Sequence, residues 1–331
     1  MQENVAFCAK IANFAASFIQ TRSMINRELI RIKLVQVLYS YLQKGTKNPD
    51  VAEKELLLSL DKAYDLYNYM LLLMVEVGRM SVRMLEMRQN RSKKLKDGVQ
   101  WSRKFADNRF ILQLESCRQL KDYCVEQALS WADYEEFVRS LYYKVEESEY
   151  YKQYMTSETS SYEEDREIWR LIYRHIIVGN EELSNLLEDI NIYWNDDKAI
   201  VDTFVLKTIN RFKAESTTSQ LLMPEYKTDA DREFATKLLH RALVNQEYYY
   251  GLVTANAHGW EFNRIALMDR IILQLGLAEI TTFPNIPISV SINEYVDIAK
   301  MYSTPKSGKY INATLDTIAK KLLEEGKVVK E

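Results

Sequence analysis

Two carboxylates three residues apart, Glu294 and Asp297, are the nearest approach in this chain to a pair of catalytic acids. On a helix that spacing makes them neighbours, as general acid–base chemistry would need. Carboxylates near a helix start also stabilise the macrodipole with no functional role, and that is the reading preferred for this pair. The histidines His175, His240 and His258 are far apart and lack the local acid or cysteine spacing of metal ligands. They read as surface or helix-packing residues. Cys8, Cys117 and Cys124 have neither metal-like spacing nor the number for a disulfide framework, and read as buried or neutral thiols of a reducing compartment. There is no glycine-rich phosphate loop. The expectation is a protein that is not an enzyme and uses no cofactor or metal.

Phosphate binding is the other chemistry to consider. The stretch Arg88 to Lys104, RQNRSKKLKDGVQWSRK, is a basic, broken segment. A solvated loop at a helix end is the first reading, because charge clusters are commonplace there, and a phosphate-contacting patch is the second. With 44 Lys and Arg against 47 Asp and Glu, the net charge of -3 makes no global case for nucleic acid. Any such site must be local.

The elements that would position these residues are helical. A 331-residue chain with 47% hydrophobic residues can bury a sizeable core, and 9 Gly and 5 Pro leave little turn chemistry for many strands. The fold class expected is all-α. A first helix is predicted over 25–43, with Ile30, Leu34, Val37, Leu38 and Tyr41 on one face, a basic polar face, and Gly45 as its stop. A second long helix is predicted over 51–90 and a further helical run over 105–153. The acidic, Ser/Thr-rich MTSETSSYEEDRE at 155–167 reads as a linker or mobile turn. Helices resume over 166–180, 181–189 and 197–213, and a polar break follows. No apolar run approaches the length of about 20 residues that spans a bilayer. Glu3 and Lys10 argue against a signal peptide, so a soluble, cytoplasmic protein is expected. Residues 1–23 read as an upstream extension or the product of a misassigned start, with Met24 as the alternative.

The stretch from Asn285 to Lys321 is the most distinctive. Ile288, Ile292, Tyr295, Val296, Ala299 and Tyr302 recur on one helix face, and Pro287 suits a first helical position. A second pattern runs through Tyr310, Ile311, Leu315, Ile318 and Leu322, with Ser307 as the expected N-terminal cap. The order IPxxVxINExVxxAKxY then SGKYINxxLD, preceded by the helix from Asp269 to Glu279, resembles the bacterial transcription antitermination factor NusB. So does NRELIRIKLVQVLYSYL at 26–42, an arginine-bearing helix ending in a Leu-Tyr-Ser-aromatic motif. The resemblance covers about 25–44 and 229–323. It implies a first family-like helix at 24–44, a helical enlargement at 45–228 of unread function, a family-like region at 229–323 and a tail at 324–331.

The resemblance implies a NusB-like helical bundle core with an added helical insertion, and an RNA-binding adaptor of transcription antitermination. Its implied partners are boxA-like single-stranded RNA, the ribosomal small-subunit protein also called NusE, and the RNA polymerase antitermination complex in ribosomal-RNA operons. The implied RNA contacts are Arg27, Arg31 and Lys33 on the first helix, Tyr39 in its Leu-Tyr-Ser motif, and Lys306, Lys309, Tyr310 and Asn312 about the Ser-Gly-Lys turn. Guanidinium and ammonium groups would neutralise phosphates, and the tyrosines would stack on bases or fill helix seams. Asp269 is the implied contact to NusE, with an exposed helix charge as the other reading. Trp260 and Arg264 fit the entry to the family's Asp269 helix. Gln274 departs from it, standing where the family has arginine. Glu28, Leu29 and Ile30 replace a denser arginine run, which opens an alternative: a helical protein-protein interaction scaffold that has lost RNA binding.

Overall fold

The computed structural model describes residues 23–45, 48–96, 98–216, 222–256 and 264–330. Cys8, His258, Trp260 and nearly all of the N-terminal segment fall outside them. The described residues form fourteen α-helices with short 3-10 and π turns, and no strand, only an isolated bridge between Ile25 and Tyr226. None of the helices is long and apolar enough to cross a membrane. The chain divides into two compact units, one built from Ile25–Leu60 with Tyr226–Glu331, the other chiefly from Asp61–Glu225.

The first unit opens with α1, Arg27–Gln43. The Asn26 side chain accepts from the Leu29 N–H at 2.9 Å, satisfying one of the donors that a helix start leaves free. Gly45, at φ +63, turns the chain just past the helix end. Helix α1 packs against both α10, Asp229–Val244, and α12, Leu267–Thr282. Contact on two sides is why its burial is far wider than one stripe, running unbroken from Leu29 to Val35. Helix α12 is apolar around its whole circumference and buried from Ile271 to Ile280, as a helix surrounded by others must be. It is flanked by α10, α11 (Gln246–Asn256), α13 (Ile288–Tyr302) and α14 (Ser307–Glu324). At about 2 kcal/mol per buried large aliphatic side chain, the five in Ile271–Leu277 contribute on the order of the whole net stability of a domain. Gln274, also buried, donates its amide to the Ala242 carbonyl at 2.8 Å and so ties α12 to α10.

Helix α2, Pro49–Leu95, is longer at both ends than its apolar stripe predicts; residues to Leu60 belong to the first unit and the rest to the second. In the second unit the run expected over 105–153 is broken into α3 (Arg109–Ser116), α4 (Arg118–Glu126), α5 (Glu135–Glu147) and α6 (Glu149–Thr156). Capping side chains set the starts of α3 and α6, and a left-handed residue ends α4. Asn108 and Ser148 accept from the N–H groups of Ile111 and Tyr151, and Ala128 at φ +52 closes α4 with the Leu129 N–H on the Cys124 carbonyl. The segment read as a linker holds a capping box, Ser161 with Glu164, which starts α7 at Tyr162, four residues before the predicted position. Helices α7 (Tyr162–Ile172), α8 (Glu181–Ile190) and α9 (Lys198–Arg211) complete the unit. Stacked aromatics fill its core: Tyr69 lies 4.2 Å from Trp131, and Phe105 5.4 Å from Trp169.

Candidate nucleic-acid interface

The turn between α13 and α14 assigns a different task to each residue of its Ser-Gly-Lys sequence. Ser307 donates to one Asp269 oxygen at 2.9 Å while Ser303 donates to the other at 2.7 Å. Ser307 is therefore not the cap expected of it; Lys306 holds the cap position and the serine hydroxyl is drawn inward to the carboxylate. At Gly308 an added Cβ would lie 3.3 Å from the Lys300 side chain and 3.7 Å from the Val296 carbonyl, so the missing side chain lets α14 close on α13. Lys309 then points to solvent. Lys306, Lys309 and Asn312, spaced by three along the start of α14, are all exposed, and neither lysine pairs with a carboxylate among the described residues. Tyr310 differs. Its ring is half-buried, its hydroxyl is enclosed, and burial raises its pKa, which suits a seam-filling tyrosine better than an open stacking platform.

Asp269 is 8% exposed and occupied by two hydroxyls, which corrects its reading as a surface contact for a protein partner. Its place at the start of α14 is where a helix dipole favours negative charge. Asp269→Ala is expected to cost about 2–3 kcal/mol, the scale of hydrogen bonds to a charged acceptor, and Asp269→Asn less. Urea denaturation checks this; a loss below about 0.5 kcal/mol, typical of surface positions, would mean the turn holds without its carboxylate.

On α1 the four predicted residues separate. Arg31 is only 3% exposed, its Nε and Nη2 each 2.8 Å from a Glu279 oxygen and its Nη1 3.1 Å from Glu294. Burial works against its charge, but the Glu279 hydrogen bonds and Coulomb attraction outweigh that and hold its pKa above the ordinary arginine value. This guanidinium is a core ion pair, enclosed with its carboxylates and closed off from solvent. Lys33, 2% exposed, is likewise interior. Both corrections have one cause: two helices cover α1, so positions that a single-faced amphipathic reading assigns to solvent are enclosed. Arg27 remains partly open, 3.6 Å from Asp231 and 5.0 Å over the Phe234 ring. Tyr39 is exposed, at 39%, with its hydroxyl accepting from Gln43 at 3.3 Å.

Glu279 was missed by the sequence reading as a functional element of the core. It also accepts from Ser291 at 2.7 Å and Tyr295 at 3.1 Å, so four donors converge on one carboxylate. The signal was present: an acid inside an otherwise apolar helix requires a buried partner. Glu294, set aside as a dipole-stabilising acid, is the second carboxylate on Arg31, and burial raises its pKa despite that cation. Asp297 pairs with Lys300 instead. His240 meets Glu53 at 2.6 Å and His175 stacks on Tyr150, while Cys117 and Cys124 are free, buried thiols.

A model of the NusB family matches residues 199–320, a span that includes α12, the Ser-Gly-Lys turn and nearly all of α14. The chain is NusB-like. It is 36% identical over 99 residues to the transcription antitermination protein NusB of Salinibacter ruber, covering 30% of this chain and 62% of that protein. With the NusB of Koribacter versatilis it shares 40% over 96 residues, covering 29% and 66%. The chain thus spans somewhat under two thirds of these relatives' own lengths. A solved structure of T. maritima NusB is 25% identical, covers 49% of this chain and 95% of that one, and superposes at a TM-score of 0.29, too low to say more. The NusB-like span supplies the Ser-Gly-Lys turn and its exposed lysines; Arg88–Lys104 lies outside it.

Proposed function

We propose that this NusB-like protein is an antitermination adaptor that binds boxA-like single-stranded RNA together with NusE and delivers it to transcribing RNA polymerase. It acts by binding, with no covalent chemistry. The observation that carries this reading is the turn of Ser307–Lys309, inside the NusB-like span, where Asp269 and Gly308 fix the backbone while Lys306, Lys309 and Asn312 stay exposed. Fixed cations free of carboxylate partners are suited to phosphates, which supply most of the affinity in such interfaces. Arg27 and Tyr39 are the further contacts proposed on α1.

The interior placement of Arg31 and Lys33 favours a second reading, a helical interaction scaffold without RNA binding, because it leaves α1 with fewer exposed cations. Fluorescence anisotropy with a boxA-like RNA and a scrambled control, each with and without NusE from the same organism, separates the two. Preference for boxA strengthened by NusE is the expected result. No preference in either condition would overturn the adaptor reading in favour of the scaffold.

A further inference from the structure

The last turns of α2 carry cations that the ion pairs of the fold leave unused. Arg88 grips Glu146 through both terminal nitrogens, Arg103 holds Asp107 at 2.8 Å, and Lys104 donates to the carbonyls of Ser157 and Thr159. Between these committed residues Arg91, Lys93, Lys94 and Lys96 are all exposed, with no carboxylate partner among the described residues. Lys93 and Lys96 line an open groove of about 620 Å³ whose other side is the returning loop, with Val99 and Trp101. The Ser92 hydroxyl donates to the Val99 carbonyl at 3.3 Å and ties that loop to the helix. Trp101 is 41% exposed, yet fixed in place: the Arg88 guanidinium, itself anchored by Glu146, sits 5.3 Å from its ring centroid.

Lys96 adds an independent observation. It ends the helix at φ +53, a left-handed conformation that glycine or asparagine adopts at less cost than lysine. A lysine there gives up stability and places another ammonium on the groove.

We propose that this groove is a separate RNA-contacting surface, taking a short unpaired stretch with phosphates on Lys93 and Lys96 and a base on Trp101. Cations beside a fixed, exposed aromatic ring are the combination that sequence-tolerant binding of single strands uses. An acidic polypeptide would satisfy the lysines and leave the ring unused. The groove lies outside the NusB-like span, so the inference does not rest on boxA recognition.

The test uses the full chain and a fluorescein-labelled oligouridylate, titrated by anisotropy over a range of salt. Replacing Lys93 and Lys96 together by glutamate is expected to weaken binding at least about tenfold at low salt. It should also reduce the log–log salt slope by about 1.4, for two phosphate contacts on a single strand. Trp101→Ala should cost roughly tenfold through lost stacking. Both losses should persist in a Lys306→Glu, Lys309→Glu background, which separates this groove from the turn of α14. Lys96→Gly should weaken binding while keeping or raising the thermal midpoint, so that loss of fold cannot explain the result. Oligouridylate binding that is absent in the unaltered protein, or unchanged by the double substitution, would overturn the proposal. So would displacement by polyglutamate together with a silent Trp101→Ala. Loss of boxA discrimination alone would bear on the adaptor reading and leave this one standing.

Discussion

Glu279→Ala is expected to destabilise the unit of Ile25–Leu60 with Tyr226–Glu331 by about 3–5 kcal/mol, the cost of leaving one member of a buried ion pair without its partner. The carboxylate has no exposed surface and receives four hydrogen bonds, two from Arg31 and one each from Ser291 and Tyr295. Removing it leaves a guanidinium in the interior with Glu294 as its remaining ion-pair partner among the described residues. It also leaves two hydroxyls without their acceptor, so the loss exceeds that of any single hydrogen bond. The double change Arg31→Met, Glu279→Leu should cost less than Glu279→Ala alone, because apolar groups of similar volume bury without desolvating charge. Urea denaturation followed by far-UV circular dichroism measures both. A single-variant loss under about 1 kcal/mol would mean that water reaches Arg31, contrary to the burial found here.

The second large effect concerns binding. Lys306→Glu with Lys309→Glu is expected to lower boxA affinity about a hundredfold at low salt and to reduce the salt slope by about 1.4, for two phosphate contacts on a single strand. Both side chains are exposed and carry no ion pair among the described residues, so stability should stay within about 0.5 kcal/mol. Arg31→Met serves as the contrast. It should disturb stability first, since its guanidinium is spent on Glu279 and Glu294. If the lysine pair proves silent while boxA is still bound, the phosphate contacts lie elsewhere on the chain.

These contrasts trace what periodicity conveys. The end of α1 at Gln43 was legible because an apolar repeat followed by a glycine stop is a local signal, whereas its start lies two residues past the expected position, at the Asn26 cap. The capping box at Ser161 was equally local and was obscured by its acidic, Ser/Thr-rich surroundings. The breaks within 105–153 were harder, since Asn108 and Ser148 interrupt a continuous apolar pattern through side-chain bonds that composition does not display.

The sequence by itself determined that the protein is all-α and NusB-like, because helical periodicity, scarce glycine and proline, and the Ser-Gly-Lys-Tyr order are written along the chain. It also determined where the exposed lysines of α14 stand, since the spacing from Ile311 to Leu322 orients that helix. Only the tertiary structure decided the fate of each charge. Arg31 and Arg27 are four apart on the same helix, yet one is interior and the other partly open, because burial depends on which helices cover each position. Asp269 and Glu279 stand on one helix, yet one holds a turn and the other an arginine from the far end of the sequence. Contacts across 248 residues follow from packing, and a charge becomes a ligand contact or a core ion pair according to what the fold lays against it.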